Sequence, residues 1–561
     1  MTAGHWNRTL TFLCVLIVSA TPLQSRAEST EEIIFTAQAE PFSAEAEADD
    51  EAEADAAASQ ALPALYDPED VITLREAAIL ALQNNLDIEL ARLDPEIAEE
   101  GVQEAKGVFD PVGSATFNFA RNARKNTNSL DPQSALKING WDYGTGVSGI
   151  LPFGLSYRSG VNLNRNDTNS RISSLARTFR SGWTSELSMP LLRDLRVNRA
   201  SVAVRQSQIA EKSSEDRFAQ TLSELVAGVE NLYWNLAAAD ASLSVAQKSL
   251  KAANDLLDQT RIQEEVGVVS RIAVKQAEAG VAEREVNLIN AENQAASARD
   301  QLLDAIFAPE SIGAFDDRQV LTQRPQFEFY PVDVAEAVKK ALKLRPEMAM
   351  AKKAVDSASL ASDLAKNQAK PRFDLVATYS TEGLAGSENG ESLSPPRQNI
   401  VGDSGDSFRD FFGSTPEKNF SWGVQVEVPF GNRTGKAGAA RARIEERRAR
   451  IGLRRQRQLI ALEVRRAARD LASASKAVKA AERRRGASEE SLRAEQERLR
   501  LGDSTPFQVL QFEEDVADAE SQVINTLRLL QNSITEFERV QGTLLSARGI
   551  SVEEAIETQE R

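Results

Sequence analysis

Cysteine and histidine are almost missing from this sequence of 561 residues, which has one of each, Cys14 and His5. Both lie within the first 14 residues, so a chain that loses its N-terminal end keeps neither. Such a chain has no disulfide bond, no cysteine or histidine nucleophile, no histidine base and no zinc site built from these residues. We predict that it holds no metal or cofactor and that packing or oligomerisation stabilises it.

Long hydrophobic runs are also missing, because no stretch beyond the N-terminus approaches the roughly 18 apolar residues of a transmembrane helix. At the N-terminus, Arg8 precedes a short apolar run over residues 10–20, and small residues follow at Ser25 and Ala27. This order predicts a secretory signal peptide over residues 1–27. A lipid anchor on Cys14 is disfavoured, since that residue lies inside the apolar run.

Positive charge is scarcer than negative charge, with 66 Lys and Arg against 83 Asp and Glu, a net charge of −17. Residues 28–60 hold 11 of the acids and no Lys or Arg, which predicts an acidic disordered linker over residues 28–68. The segment 433–500 is rich in arginine, but acids are interleaved and aromatic residues are absent. We therefore predict a solvated helix face there and no nucleic-acid partner.

The chain repeats itself after this linker. Nine residues between positions 267 and 290 recur 235 positions later without a gap. Trp183 and Pro190 recur 239 positions later, and residues 76–82 recur in part 260 positions later, in the same order along the chain. We predict a tandem duplication, with a first repeat over 69–307, a linker over 308–330, a second repeat over 331–545 and a C-terminal tail over 546–561.

Each repeat contains long helical segments. Between residues 222 and 257, apolar residues recur at every third or fourth position, and residues 464–481 repeat this spacing in the second repeat. The spacing is typical of coiled-coil packing. A helix from about Leu195 to Val266 would be roughly 100 Å long, which one compact domain cannot bury. Pro95 predicts a break in the shorter helical stretch over residues 74–106.

Other segments alternate apolar and polar residues, as strands do. The clearest is 420–428, where Phe420, Trp422 and Val424 alternate with polar residues or glycine. Such segments of about ten residues are typical of a membrane β-barrel, although a soluble β-sandwich edge has the same period. The first repeat has an additional strand-like pair near residues 147–164, which either adds strands to the barrel or forms an extracellular hairpin.

Short turns over residues 266–270 and 501–506 join the long helices. Gly267 and Gly502 suit helix C-caps, and the Ser or Thr that follows each glycine suits the next N-cap. Each turn therefore predicts a tight antiparallel helical hairpin.

Together these features resemble the outer-membrane efflux protein family, also called TolC-like. The resemblance rests on an ordered set of motifs. Residues 71–85 (VITLREAAILALQNN) are similar to the family's LTLxEAxxxALxxN, 189–192 (MPLL) to its PLL, 233–236 (YWNL) to its AYWxL, and 265–278 to its hairpin xxGxxSxxxVxQAE, which recurs over 502–513. The set covers residues 69–545.

This resemblance implies a mainly α fold with membrane β-barrel strands, in which a long coiled-coil-like α-helical barrel continues into a shared trimeric β-barrel. It implies the passive outer-membrane channel subunit of a tripartite efflux pump or a type I secretion system, extending into the periplasm. The implied partners are two more copies of the chain, outer-membrane lipid, a periplasmic adaptor protein and an inner-membrane pump. The residues implied at the periplasmic aperture and in adaptor contact are Val266, Gly267, Val268, Ser270, Leu501, Gly502, Asp503, Ser504 and Thr505.

The sequence departs from the family at the pore. Well-known members carry aspartates just inside the second hairpin tip, whereas Gln508 and Gln511 take those positions here, with Ala273 and Gln276 in the first repeat. The candidates for a pore constriction are Asp503, Gln508, Gln511 and Gln276. Asp503 either gives an acidic ring in a trimer or is only a turn residue.

Two rival functions belong to other classes. A periplasmic adaptor protein also has a long helical hairpin, but usually one between small β-domains, whereas this chain has two in tandem. An envelope enzyme with paired carboxylates, such as a glycoside hydrolase, is remote because no such pair stands in a pocket-like context. We predict that the chain is not an enzyme.

Overall fold

The computed structural model describes residues 71–128, 131–307, 321–322, 330, 332–392, 400–412 and 417–551. The predicted signal peptide, the predicted acidic linker, most of the linker over 308–330 and the end of the C-terminal tail lie outside these residues. Among the described helices, none combines the length and the apolar composition that crossing a bilayer requires.

Most of the described residues are helical. The helices are α1 Leu74–Asn84, α2 Leu86–Lys106, α3 Arg199–Glu265, α4 Arg271–Ile306, α5 Val334–Leu344, α6 Pro346–Gln368, α7 Ser404–Phe412, α8 Arg433–Leu501, α9 Pro506–Gln541 and α10 Leu544–Ala547. At about 1.5 Å per residue, the 67 residues of α3 and the 69 residues of α8 each span roughly 100 Å. The prediction of very long paired helices is confirmed.

The strands are β1 Val71–Ile72, β2 Val112–Lys125, β3 Ala135–Ile150, β4 Ser156–Thr168, β5 Leu175–Pro190, β6 Leu321–Thr322, β7 Arg372–Glu388 and β8 Glu417–Glu427. β1 and β6 form a short parallel pair. In the described part of the chain, six strands form one antiparallel sheet in the order β2-β3-β4-β5-β7-β8. β2 and β8 are therefore its edges.

The two halves of the chain follow one plan. Two short helices, a set of strands and a long helical hairpin occur first as α1 to α4 with β2 to β5, and again as α5, α6, β7, β8, α8 and α9. This order agrees with the predicted duplication. In the stretch next to the sheet, the helices pack side by side in the order α2, α3, α6 and α8.

The first short helical stretch breaks at Asn85, so the prediction of a break at Pro95 is wrong. α2 accommodates Pro95 in its interior, whereas Asn85 ends α1 and caps α2. The side chain of Asn85 also donates to the carbonyl of Ala305 at 3.2 Å, which ties the break to the end of α4. The second repeat breaks at Arg345, 260 positions later, as the offset between the repeats requires.

The extra hairpin of the first repeat is β3 and β4, which lie inside the sheet between β2 and β5. Its turn, residues 151–155, contacts the start of α3, because Asn198 and Ser201 both donate side-chain hydrogen bonds to the carbonyl of Pro152. The hairpin therefore adds two strands to the sheet and turns at the helical end. The alternative of an extracellular hairpin is wrong.

A buried ion-pair cluster joins the repeats. Glu230 on α3 is fully buried and accepts from Arg548 and, at 2.6 Å, from the hydroxyl of Thr535 on α9. Arg548 also pairs with Glu538 at 3.1 Å. Burial raises the pKa of Glu538, an effect that Arg548 opposes. The cluster holds the chain just after α10 against the middle of α3.

Replacing Arg548 with methionine should destabilise the protein by about 3–5 kcal/mol, because the fully buried carboxyl group of Glu230 would lose its guanidinium partner. Denaturant unfolding followed by circular dichroism would measure the loss. Arg493→Met is the matched control, since Arg493 is an exposed partner of Glu489 and should cost about 0–1 kcal/mol. Equal effects of the two substitutions would contradict the role assigned to the cluster.

Candidate functional site

The register of the sheet separates its side chains onto two faces. A row across one face runs through Trp422, Ala377, Leu187, Tyr157 and Gly149. A row across the other face runs through Glu382, Gly182, Asn162, Gly144 and Thr116. We call the first, which also carries Phe117 and Trp183, the apolar face, and the second the polar face.

Aromatic side chains on the apolar face lie open in the protomer, with Trp422 71% exposed and Phe117 64% exposed. They pack on one another across strands: the ring centroids of Phe117 and Tyr143 are 4.9 Å apart, and those of Trp183 and Tyr379 are 5.6 Å apart. A soluble β-sandwich would cover such a face with a second sheet, and the described part of the chain has none. The face therefore has the character of one that meets lipid.

The large apolar side chains of the apolar face form a band, which we call the apolar band, and this band crosses the strands at an angle. On β8 the band is centred near Val424, whereas on β2 it is centred near Phe117, about eight residues beyond the position that the register places opposite Val424. At about 3.3 Å per residue and 4.8 Å per strand spacing, this shift over five spacings gives a strand tilt of roughly 45°. Strands of membrane barrels tilt by about the same angle.

The first hairpin tip joins α3 to α4. Gly267 takes a left-handed conformation with φ of 77°, and its N–H donates to the carbonyl of Glu264 at 2.9 Å. The next N–H, of Val268, reaches the carbonyl of Gln263 at 2.8 Å. These bonds close the end of α3 in a Schellman-type cap. Ser270 then begins α4.

The second tip joins α8 to α9 in the same way. Gly502 has φ of 84° and donates to the carbonyl of Leu499 at 3.0 Å, and Asp503 donates to the carbonyl of Arg498 at 2.8 Å. Both predicted hairpins are confirmed, with the glycines at the predicted caps. Glycine suits these positions because a Cβ atom strains the left-handed region.

Large apolar side chains project from both tips. Val266, Val268 and Ile272 are 69–71% exposed at the first tip, and Leu501 is 72% exposed at the second. Behind them, Leu256, Leu257, Val274, Ala277, Val281, Val509 and Leu510 form one buried cluster from both hairpins. The tips are thus held together from behind and present apolar surface outward.

The structure gives Gln508 a role in the turn. Its backbone N–H donates to the hydroxyl of Thr505 at 3.3 Å, and its side-chain oxygen accepts from the N–H of Thr505 at 3.3 Å. This capping box starts α9. The hydroxyl of Ser504 donates to the buried Glu495, which sequence reasoning missed.

The other constriction candidates are exposed near the tips. Asp503 directly follows Gly502, whereas Gln276 on α4 and Gln511 on α9 hold equivalent positions, 235 residues apart. The protomer does not bring these three side chains into one cluster by any described hydrogen bond. Their convergence in a pore stays a prediction.

A buried arginine links α4 to α9 just behind the tips. Arg284 is 5% exposed and donates to the carbonyl of Leu510 at 3.0 Å and to that of Gly280 at 3.2 Å. Burial raises the pKa of Glu513 on α9, and Arg284 opposes that rise. Sequence reasoning missed Arg284, although it falls where the apolar series at 274, 277 and 281 would continue.

Comparisons with known proteins agree with this geometry. The family model described as "Outer membrane efflux protein" matches residues 153–306 and 337–543. These two segments fall in the two halves and support the predicted duplication, although the exact repeat boundaries stay predictions. No curated protein sequence matches the chain.

Solved structures of outer-membrane channels have the same fold. The CmeC channel of Campylobacter jejuni is similar with a TM-score of 0.60 and 14% identity, over 89% of this chain and 94% of that one. The open state of the Neisseria gonorrhoeae MtrE channel is similar with a TM-score of 0.58 and 18% identity, over 84% of this chain and 89% of that one. VceC of Vibrio cholerae is similar with a TM-score of 0.58 and 14% identity, over 84% of this chain and 96% of that one. At such identities the likeness concerns the fold alone.

Proposed function

The chain belongs to the outer membrane efflux protein family, and from this premise we propose that three protomers form one export duct across the outer membrane and periplasm. Each protomer is an outer-membrane channel subunit of an efflux system, with its strands in the outer membrane and its helices in the periplasm. The two-faced sheet with its tilted apolar band is the observation that carries the proposal. The alternative of a periplasmic adaptor is not favoured by this family.

A ring of three protomers fits both halves of the molecule. The helices α2, α3, α6 and α8 lie side by side, and twelve such helices at about 10 Å each give a circumference of roughly 120 Å. The six described strands per protomer give eighteen in the ring, which at about 4.8 Å spacing and 45° tilt also give roughly 120 Å. The two tubes therefore join without a taper, and no sheet edge is left in the membrane.

The hairpin tips are the proposed docking site for a periplasmic adaptor protein that connects the duct to an inner-membrane pump. Apolar side chains exposed at both tips, Val266, Val268 and Leu501 among them, support this role. Gly267, Ser270, Gly502, Asp503, Ser504 and Thr505 shape the two turns that present them. The duct itself is passive, and the pump supplies the energy.

The mouth of the duct is the proposed place of selection, since rings of side chains there set its charge and width. Asp503 would give three carboxylates around the axis, and Gln276 and Gln511 would give neutral polar rings. Gln508 is reassigned to the capping box of α9, so we propose no pore role for it.

Cell fractionation and light scattering in mild detergent would test the proposal. We expect the protein only in the outer-membrane fraction, as a complex of three protomers that conducts ions when it is reconstituted in a planar bilayer. A monomer in the periplasmic fraction would overturn both the ring and the duct.

A further inference from the structure

The helix α2 has an acidic face that no part of the described protomer covers. All seven of its carboxylates are exposed, and they surround an exposed stripe of Leu86, Leu90, Leu93 and Ile97, spaced three or four residues apart. The stripe is turned away from Ile88 and Val102, which are buried in the protomer. Apolar side chains 44–68% exposed on a helix face are typical of an interface.

The start of α8 has the opposite charge. Between residues 433 and 469 it carries thirteen Lys and Arg, all exposed, and three acids. Their ion pairs in the described structure stay within α8, joining Arg448 to Glu445, Arg450 to Glu446 and Arg466 to Asp470. An exposed stripe of Ile444, Ile451, Leu459 and Leu462 runs between the arginines, away from the buried Ile460 and Val464.

The two faces lie at the same level of the molecule and at opposite edges. α2 leads into the edge strand β2, and α8 follows the other edge strand, β8. Counted from the end of each helix that is nearest the sheet, the stripe of α2 begins about 9 residues away and ends about 20 residues away. Ile444 and Ile451 of α8 lie about 11 and 18 residues from that end of their helix. Because both helices rise about 1.5 Å per residue, the stripes overlap in height.

We infer that neighbouring protomers are joined by a charge-matched seam, in which the acidic face of α2 packs against the arginine-rich start of α8 of the next protomer. The inference rests on the proposed ring. The stripe of α2 forms the apolar centre with Ile444 and Ile451 of α8, and carboxylates and guanidinium groups pair along its sides. Because α2 repels α2 and α8 repels α8, the seam forces head-to-tail order, which closes into a ring.

Charge reversal tests the seam. One variant carries Glu89→Arg, Glu96→Arg and Glu100→Arg on α2, and the second carries Arg441→Glu, Arg443→Glu and Arg447→Glu on α8, which lie at similar distances from the sheet. Each variant alone should assemble at least ~100-fold more weakly in detergent, because like charges then face each other across the seam. A chain that carries all six substitutions should regain complexes of three protomers, which also shows that the variants fold.

Mixing the two single variants gives a sharper outcome. A seam between an α2-reversed and an α8-reversed protomer brings opposite charges together and is favourable. The two kinds cannot alternate around a closed ring of three, because one seam would join two protomers of the same kind. The mixture should therefore stop at open complexes of two. The matched control is Asp356→Arg with Asp363→Arg on α6, which lies between α3 and α8 and away from both edges. The control should assemble like the unaltered chain.

The results separate the seam from the duct. Complexes of three that survive either single reversal would overturn the seam and leave the proposed duct standing. Failure of the unaltered chain to form complexes of three would overturn the duct. Reversed α8 variants that assemble normally but lose binding to anionic lipid vesicles would assign the arginines to a membrane surface and overturn the seam.

Discussion

Replacing Val424 with arginine should reduce the amount of assembled protein in the outer membrane at least about tenfold. Val424 lies at the centre of the apolar band on β8 and is 46% exposed in the protomer. An arginine on the lipid face of a barrel strand costs about 2–4 kcal/mol near the bilayer midplane. In the proposed ring of three protomers this cost arises three times, so insertion should fail.

Gln425→Arg is the matched control, because Gln425 is the next residue on the same strand and lies on the polar face. The register places it opposite Asp374. The same side chain introduced there projects from the polar face and not into lipid, so assembly should stay near its normal level. Quantifying the protein in outer-membrane fractions compares the two. Equal loss from both variants, or from neither, would show that the faces are assigned wrongly.

The second large effect should come from Gly502→Val combined with Gly267→Val. We expect export to fall below about a tenth of its normal rate while complexes of three still form. Both glycines have positive φ, where a β-branched residue costs about 1–3 kcal/mol. A Cβ atom at either position meets no atom within 4 Å, so the strain acts on the turn and not on packing.

Export by cells that carry the variant as their sole copy would measure this effect. Gly486→Val is the control, because Gly486 lies in the interior of α8, also with nothing within 4 Å of a Cβ atom but with ordinary helical φ. Gly502→Asn should keep part of the function, since asparagine tolerates the left-handed region. Normal export by the double valine variant would remove the adaptor-docking role of the tips.

The helical hairpins were predictable because their signals are local. The apolar spacing of the long helices and the glycine that ends each one are all visible within a few turns of sequence. The offset of 235 residues then placed Gly267 and Gly502 in one register, and the structure gives both the same cap. Family and function followed from the order of these local signals.

Features that depend on distant contacts were not predictable. Nothing near Pro95 shows that the helix breaks at Asn85 instead, where the side chain also bonds to a residue 220 positions away. The bonds from Arg548 to Glu230 span 318 positions and also leave no local pattern. The place of β3 and β4 depends on which strands pair, and alternation within a strand says nothing about its neighbours. The capping role of Gln508 is different, because the spacing of Thr505 and Gln508 is that of a capping box and could have been read from the sequence.

The β3–β4 hairpin also suggests how evolution could resize such a pore. An insertion of two strands returns the chain to the same end of the sheet, so β5 keeps its direction. Each side chain also stays on the same face of the sheet. A single inserted strand would send all later helices to the wrong side of the membrane. The width of the bore can therefore change in steps of one hairpin per gene, and in the proposed three-fold assembly each step adds six strands to the circumference.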